Sequence, residues 1–161
     1  MSRPAEDSAA MLRSAAIATT VVCSVLLLSA CGESPMGASE GASTAPDIVA
    51  RVKQHVHTGE KVLVALDSNH GYAHVSAELA AYAPLVTPGS YIIATDGLMR
   101  DLAGAPRGDP NWTRDNPAQA AEDFVAKHSD FVLEEPRWKF NESTLAGNVT
   151  HWPSAWLKRV Q

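Results

Sequence analysis

Two short apolar runs bracket a segment of helix length, and this spacing constrains the chain more than any other feature. Lys61-Val-Leu-Val-Ala-Leu66 is apolar and partly β-branched, and reads as a buried strand. Tyr91-Ile-Ile-Ala-Thr-Asp96 reads as a second strand. Between them Val75, Leu79 and Tyr82 supply the inner face of a helix over roughly 71–83, and Pro84 limits it. Thr87-Pro88-Gly89-Ser90 puts Pro and then Gly at the centre of a type II turn. Strand, helix and strand at this spacing form a βαβ unit, with parallel strands and a right-handed crossover. The fold class is therefore α/β. Asp67 and Asp96 then stand on one edge of the sheet, the carboxyl edge, where open α/β sheets bind ligands.

One acid at a strand end is as readily a turn or capping residue as part of a site, and Ser68 and Asn69 beside Asp67 can both cap the helix that follows. Two carboxylates converging there need a cation, a basic side chain or a shared proton. A hard ion such as Mg²⁺ suits oxygen ligands. His70 lies close to Asp67 and reads as a base or substrate contact. His74, one turn further on, reads as a packing residue. Asp-x-x-His-x-x-x-His has a zinc-like spacing but lacks the Glu of the metalloprotease pattern. No G-x-S-x-G elbow, phosphate-binding loop or G-x-G-x-x-G fingerprint occurs.

Upstream, Thr44-Ala-Pro-Asp47 reads as a helix start with Thr44 as N-cap. Ile48, Val49, Val52 and Val56 form its apolar stripe, and Gly59 follows as a C-cap. His55 and His57 read as solvent residues. Downstream, residues 98–115 are rich in Gly, Pro, Arg and Asp. They read as a lid or binding loop or as a solvated connection, with Trp112 as a wall for an organic substrate or a loop anchor. Asn116-Pro117-Ala118-Gln119 opens another helix, with Asn116 as N-cap and Ala121, Phe124 and Val125 facing inward. Residues 130–133 read as a short strand, 138–143 as a connection, and 155–160 as a last strand antiparallel to the one before. The Asn-X-Ser/Thr triplets at Asn111, Asn141 and Asn148 are common enough to arise by chance.

The chain of 161 residues suits one ordinary domain, and its 45% hydrophobic content suits a packed core. A net charge of -5 argues against nucleic acid as a partner. Both cysteines, Cys23 and Cys31, lie near the start, so the folded part holds neither a disulfide framework nor a thiolate zinc site. Arg13 precedes an uncharged run over 15–28 that is short for a membrane span but right for a signal-peptide core. Leu28-Ser-Ala-Cys-Gly32 looks like a bacterial lipobox, and a Ser/Gly/Ala-rich tether follows. The expected organisation is a lipoprotein-like signal over 1–31, a flexible tether over 32–43 and an α/β portion over 44–161. Lipid on Cys31 would place the protein at a membrane. The alternative is that these residues are a reading-frame artefact and the chain a cytoplasmic fragment of a truncated gene.

Gly41-Ala-Ser-Thr-Ala-Pro-Asp47, Leu66-Asp-Ser-Asn-His70, His74-Val-Ser-Ala-Glu-Leu79, Tyr82-Ala-Pro-Leu-Val-Thr-Pro-Gly-Ser-Tyr91, Asn116-Pro117 and Trp156-Leu-Lys-Arg159 together resemble the cephalosporin hydroxylase/rhamnosyl O-methyltransferase family. The resemblance runs from about residue 41 to the end. It implies a class I S-adenosylmethionine-dependent methyltransferase acting on a hydroxyl of a sugar, lipid or natural product, often with Mg²⁺. It implies metal-ligand positions at Asp67, Thr95 and Asp96, with Thr95 standing where similar enzymes usually carry an acid. It implies an acceptor-side role for His70, catalytic together with Asp67. It places Ser43 and Thr44 near the cofactor's adenine. The implied reaction is in-line methyl transfer to a metal-activated hydroxyl.

The family's glycine-rich loop and ribose-binding acid have no counterpart before residue 41. The expected fold is therefore a partial Rossmann-like sheet, a parallel βαβ plus a C-terminal antiparallel strand, with the N-terminal strands missing. From this follow three expectations: weak S-adenosylmethionine binding, a truncated and inactive enzyme, and self-association through the bare edge of the strand ending at Asp67. The other functional expectation is a membrane-tethered lipoprotein whose half-domain serves as a binding module.

Overall fold

The computed structural model describes residues 20–24, 43–136 and 150–161. Cys31, residues 32–42 of the tether, the 138–143 connection, Asn141 and Asn148 lie outside the described residues. Five strands form one sheet: β1 Thr20–Ser24, β2 Lys61–Leu66, β3 Tyr91–Ala94, β4 Phe131–Leu133 and β5 Trp156–Arg159. Their order is β1-β2-β3-β5-β4. β1, β2 and β3 run parallel, whereas β5 is antiparallel to both β3 and β4. Three helices accompany them: α1 Pro46–Gln54, α2 Tyr72–Tyr82 and α3 Pro117–Lys127. The expected α/β class, the parallel β2-α2-β3 unit and the antiparallel last strand are all present.

The edge of β2 departs from expectation. Thr20-Val-Val-Cys-Ser24, inside the run read as a signal core, pairs along the whole of β2, with Val22 opposite Leu63 and Ser24 opposite Ala65. β2 is therefore not bare. A short β-branched, uncharged stretch satisfies a parallel ladder as readily as it fills a signal peptide, and composition alone does not separate the two. Among the described residues no helix is long and apolar enough to cross a membrane.

The core lies where α2 and α3 pack on each other and on β3. Val62, Val64 and Leu66 of β2, Val75, Leu79 and Tyr82 of α2, Ile92 and Ala94 of β3, Ala121 and Phe124 of α3 and Leu157 of β5 are buried in it. Burying a side chain of this size stabilises by about 1.5–3 kcal/mol. Along β2 burial alternates strictly, with Leu63 and Ala65 only partly covered. β2 is thus buried on one face rather than on both, which corrects the reading of its continuous apolar run.

Local chemistry explains most boundaries. The type II turn forms as expected, with Gly89 at φ 79 and the Ser90 N–H donating to the Thr87 carbonyl at 2.8 Å. Asn116 caps α3 through its side-chain oxygen, which accepts from the Gln119 N–H at 2.8 Å. α1 is capped at Ala45 with no side-chain bond, so Thr44 is not its cap; Pro46, with its fixed φ, starts the helix instead. α1 ends at Gln54, before Gly59, which serves a later turn. α2 begins after Gly71, not at Asn69. The Asn69 side chain accepts from the Gly71 N–H at 2.8 Å, an Asx-type turn that competes with helix.

The loop over 98–115 is largely ordered into 3₁₀ turns at Gly97–Leu102 and Pro110–Thr113. Arg100 reaches both oxygens of Glu122 at 3.0 Å, and Asp109 caps the second turn. His55 and His57 are exposed, as expected.

Candidate active site at the carboxyl edge of the sheet

The site begins with two strand ends. Leu66 and Ala94 are paired across β2 and β3, so the chain leaves both strands at the same edge. Asp67 follows the first strand. Thr95 and Asp96 follow the second. Thr95 is buried, and its one hydroxyl proton is shared between the Leu66 carbonyl at 2.9 Å and Asp67 Oδ1 at 2.8 Å. Thr95, expected at a metal-ligand position, thus holds the Asp67 carboxylate in place. Asp96 adopts φ 57, ψ 27, in the left-handed region where Asp is tolerated and most side chains are not. That conformation turns the chain sharply and returns its carboxylate to the edge.

His70, in the connection before α2, completes the group. Its Nε2 lies 3.5 Å from Asp67 Oδ1 and 3.1 Å from Asp96 Oδ2. It is hydrogen-bonded to neither, and the atom is buried. One donor atom from each of Asp67, His70 and Asp96 falls within 4.8 Å of the others. Two carboxylate oxygens and an imidazole nitrogen converging this closely fit a divalent cation. The nitrogen makes no hydrogen bond, although both carboxylates lie within ion-pair distance of it.

A second acid–histidine group lies behind the first. His74 Nε2 is 2.9 Å from Ser43 Oγ, 3.0 Å from Ser68 Oγ and 3.4 Å from Glu78 Oε1. Ser68 donates to Glu78 at 2.8 Å. Ser43 and Glu78 are each 1% exposed. Tyr82 donates to the Ser43 carbonyl, fixing the turn before α1 against α2. Ser43, expected at the cofactor, therefore faces inward. Thr44 instead lines a cleft of about 360 Å³ with Asn69, Gly71, Ala73, His74, Ala77 and Asp115. His74 does pack, as its position predicts, but as the hub of a polar cluster. Glu78 escaped sequence reasoning, although its spacing of four from His74 was a usable signal.

Elsewhere, Tyr72 donates to Asp123 at 2.7 Å on the wall of a cleft of about 480 Å³ with Thr113, Arg114 and Gln119. The hydrogen bond to Asp123 raises the Tyr72 pKa, and the same bond lowers that of Asp123, helped by Gln119. This cleft is the largest of the three described, but its walls include no member of the Asp67 cluster. Trp112 is partly buried, and its carbonyl accepts from the Asn116 side chain at 2.8 Å, the role of a loop anchor. The aromatic residue beside the cluster is Trp152. It lines a cavity of about 400 Å³ with Asp96, Thr150 and His151.

A family model described as rhamnosyl O-methyltransferase/CmcI matches residues 29–160. The chain belongs to the rhamnosyl O-methyltransferase/CmcI family. No curated protein and no solved structure matches it. The match begins upstream of the motifs at residue 41 and includes Cys31 and the stretch read as a tether. Within this family member the methyltransferase-like fold places Asp67, His70 and Asp96 together and leaves Thr95 as their support.

Proposed function

We propose that this family member is a divalent-metal-dependent O-methyltransferase that uses S-adenosylmethionine to methylate a hydroxyl acceptor. The observation that carries this reading is the convergence of Asp67, His70 and Asp96 within 4.8 Å at the carboxyl edge. Asp67, His70 and Asp96 would hold the cation. When bound, it would lower the pKa of the acceptor hydroxyl. Thr95 holds Asp67 in register and the left-handed backbone holds Asp96, so the chain supplies orientation before the acceptor arrives. Asp67, half exposed, would receive the hydroxyl proton. The acceptor oxygen then bonds to the methyl carbon as the carbon–sulfur bond breaks, and the electron pair of that bond stays on sulfur. The single imidazole shifts ion preference from Mg²⁺ toward first-row transition ions, for which Mn²⁺ is the practical probe. The donor would sit in the cleft at Thr44, and donor affinity is expected to be weak.

The test is a Mn²⁺ titration followed by calorimetry and paramagnetic resonance, with S-adenosylmethionine titrated separately. One saturable Mn²⁺ site, lost in Asp96→Asn, is the expected result. A wild-type chain that takes up no Mn²⁺ would sink the metal reading. Micromolar S-adenosylmethionine binding would overturn the expectation of a weak donor site.

A further inference from the structure

We propose that Trp152 is the wall on which the ring of the acceptor lies, with hydroxyls on that ring directed at Asp96. This inference rests on the methyl-transfer reading and adds to it the part of the chain that selects the acceptor.

The topology is the first argument. β5 runs antiparallel to β3, so the loop that enters β5 arrives at the carboxyl edge, beside the end of β3. Residues 150–155 are therefore delivered to the cluster although they are remote from it in sequence. The cavity of about 400 Å³ is lined by Asp96, Thr150, His151 and Trp152.

The second argument is rigidity. The Leu98 N–H donates to the His151 carbonyl at 3.2 Å, and the Ala94 N–H to the Ala155 carbonyl at 2.9 Å. The Trp152 N–H donates to Thr150 Oγ1 at 3.0 Å. Ser154, at φ 54, donates to Glu122, the same carboxylate that Arg100 grips. Gly97 lets this loop close: a Cβ there would stand 2.3 Å from the Pro153 carbonyl oxygen. A loop tied at so many points presents its aromatic ring with little ordering cost on binding.

The third argument is the chemistry of the lining. The Trp152 ring is backed by Trp156, with centroids 6.2 Å apart, and Trp156 meets Tyr91 edge to face at 5.8 Å. Trp152 is nevertheless 36% exposed. A single exposed indole means little; an indole backed by a second ring and lining one cavity with a cluster acid has a use. Among the described residues, no Lys or Arg lines the cavity. A flat or gently puckered neutral ring carrying neighbouring hydroxyls matches both walls: its face stacks on the indole, and its hydroxyls reach the metal-binding edge.

The experiment uses the full chain with Mn²⁺ and two ring probes, catechol and methyl α-L-rhamnopyranoside, which separate an aromatic ring from a sugar ring. Affinity is read by calorimetry and contact by saturation-transfer NMR. In Trp152→Ala, affinity for at least one probe should fall by about tenfold, the upper range for one stacked ring. Mn²⁺ affinity and the thermal midpoint should be unchanged, and Trp152→Phe should restore most of the loss. If both probes bind Trp152→Ala as tightly as wild type, the inference is overturned. If Trp152→Phe is as impaired as Trp152→Ala, the loss is one of cavity shape and stacking is refuted. If wild type takes up no Mn²⁺, the methyl-transfer reading fails separately. Saturation transfer without metal then decides for Trp152, upholding it if the signal vanishes in Trp152→Ala and overturning it if the signal persists.

Discussion

Two acid–histidine groups have their histidines four residues apart in the chain, His70 before α2 and His74 within it, and their difference separates a site from a scaffold. Asp67, His70 and Asp96 face outward, with side chains roughly a third to a half exposed and His70 Nε2 unpartnered. Ser43, Ser68, His74 and Glu78 use the same chemistry behind them, but Ser43 and Glu78 are almost wholly buried and hydrogen bonds join the four. A carboxylate and an imidazole are therefore not themselves the signal. Each group keeps one buried atom without a hydrogen bond, His70 Nε2 in the outer and Glu78 Oε2 in the inner, so what distinguishes the outer group is its exposure and the convergence of two carboxylates and an imidazole within 4.8 Å. The inner group ties the turn before α1 to α2 and to the segment that carries Asp67. It holds the outer group's platform still.

Breaking each group should give opposite phenotypes. The largest effect is expected for His74→Leu, which leaves Glu78 buried beside an apolar side chain. A loss of about 3 kcal/mol is expected by chemical denaturation, in the range for removing one partner of a buried pair. Mn²⁺ affinity should hold while the chain stays folded. Next comes Asp96→Asn, chosen because Asn also tolerates the left-handed backbone. Mn²⁺ affinity should fall about a hundredfold, on the order of 2.7 kcal/mol, with the metal-free chain as stable as wild type or more so, because a like-charge contact is relieved. If the two variants exchanged phenotypes, the distinction between site and scaffold would collapse.

Thr95→Val should sharpen the comparison, since Thr95 supports the outer group without being one of its donors. A stability loss of about 1 kcal/mol and a several-fold weaker Mn²⁺ site are expected by denaturation and calorimetry. A ligand role for Thr95 would produce a loss as large as that of Asp96→Asn. The smallest effect is expected at Tyr72 and Asp123, which belong to neither group. The Asp123 pKa is lowered by its hydrogen bond from Tyr72, so its stabilising contribution is present above the unfolded-state pKa and is lost as pH falls through the depressed value. The Tyr72 pKa is raised, so its contribution is present below the unfolded-state pKa of a tyrosine and is lost as pH rises through the raised value. Tyr72→Phe should flatten both limbs of a stability-against-pH curve, and by NMR the Asp123 pKa should move back up.

Elements with local signals were legible. The bounds of β2 follow from Lys61–Leu66 alone, the turn at Gly89 from Pro-Gly, and the start of α3 from Asn116-Pro117. The two acids at one sheet edge followed from the βαβ spacing. What escaped depends on distant pairing or on burial. Residues 20–24 match a signal core and a strand equally well until β2 is there to pair with them. Glu78 looks like a solvent residue on an amphipathic helix until Ser68 and His74 enclose it. Trp152 has no local mark at all. It reaches the site because β5 inserts between β3 and β4, which no short window of sequence records. Trp112, within the loop beside the site, was the more visible tryptophan, and it anchors that loop.

The position of β5 also bears on how the protein is made. Ile93 has no antiparallel neighbour until Trp156 has been synthesised, and Leu133 waits likewise for Leu157. During synthesis, β3 and β4 are therefore both incomplete after α3 has already been made. Closing the sheet and building the Trp152 wall are then one event, late and non-local, of the kind that slows folding. A nascent chain stalled before residue 156 would carry Asp67, His70 and Asp96 but no docked wall beside them.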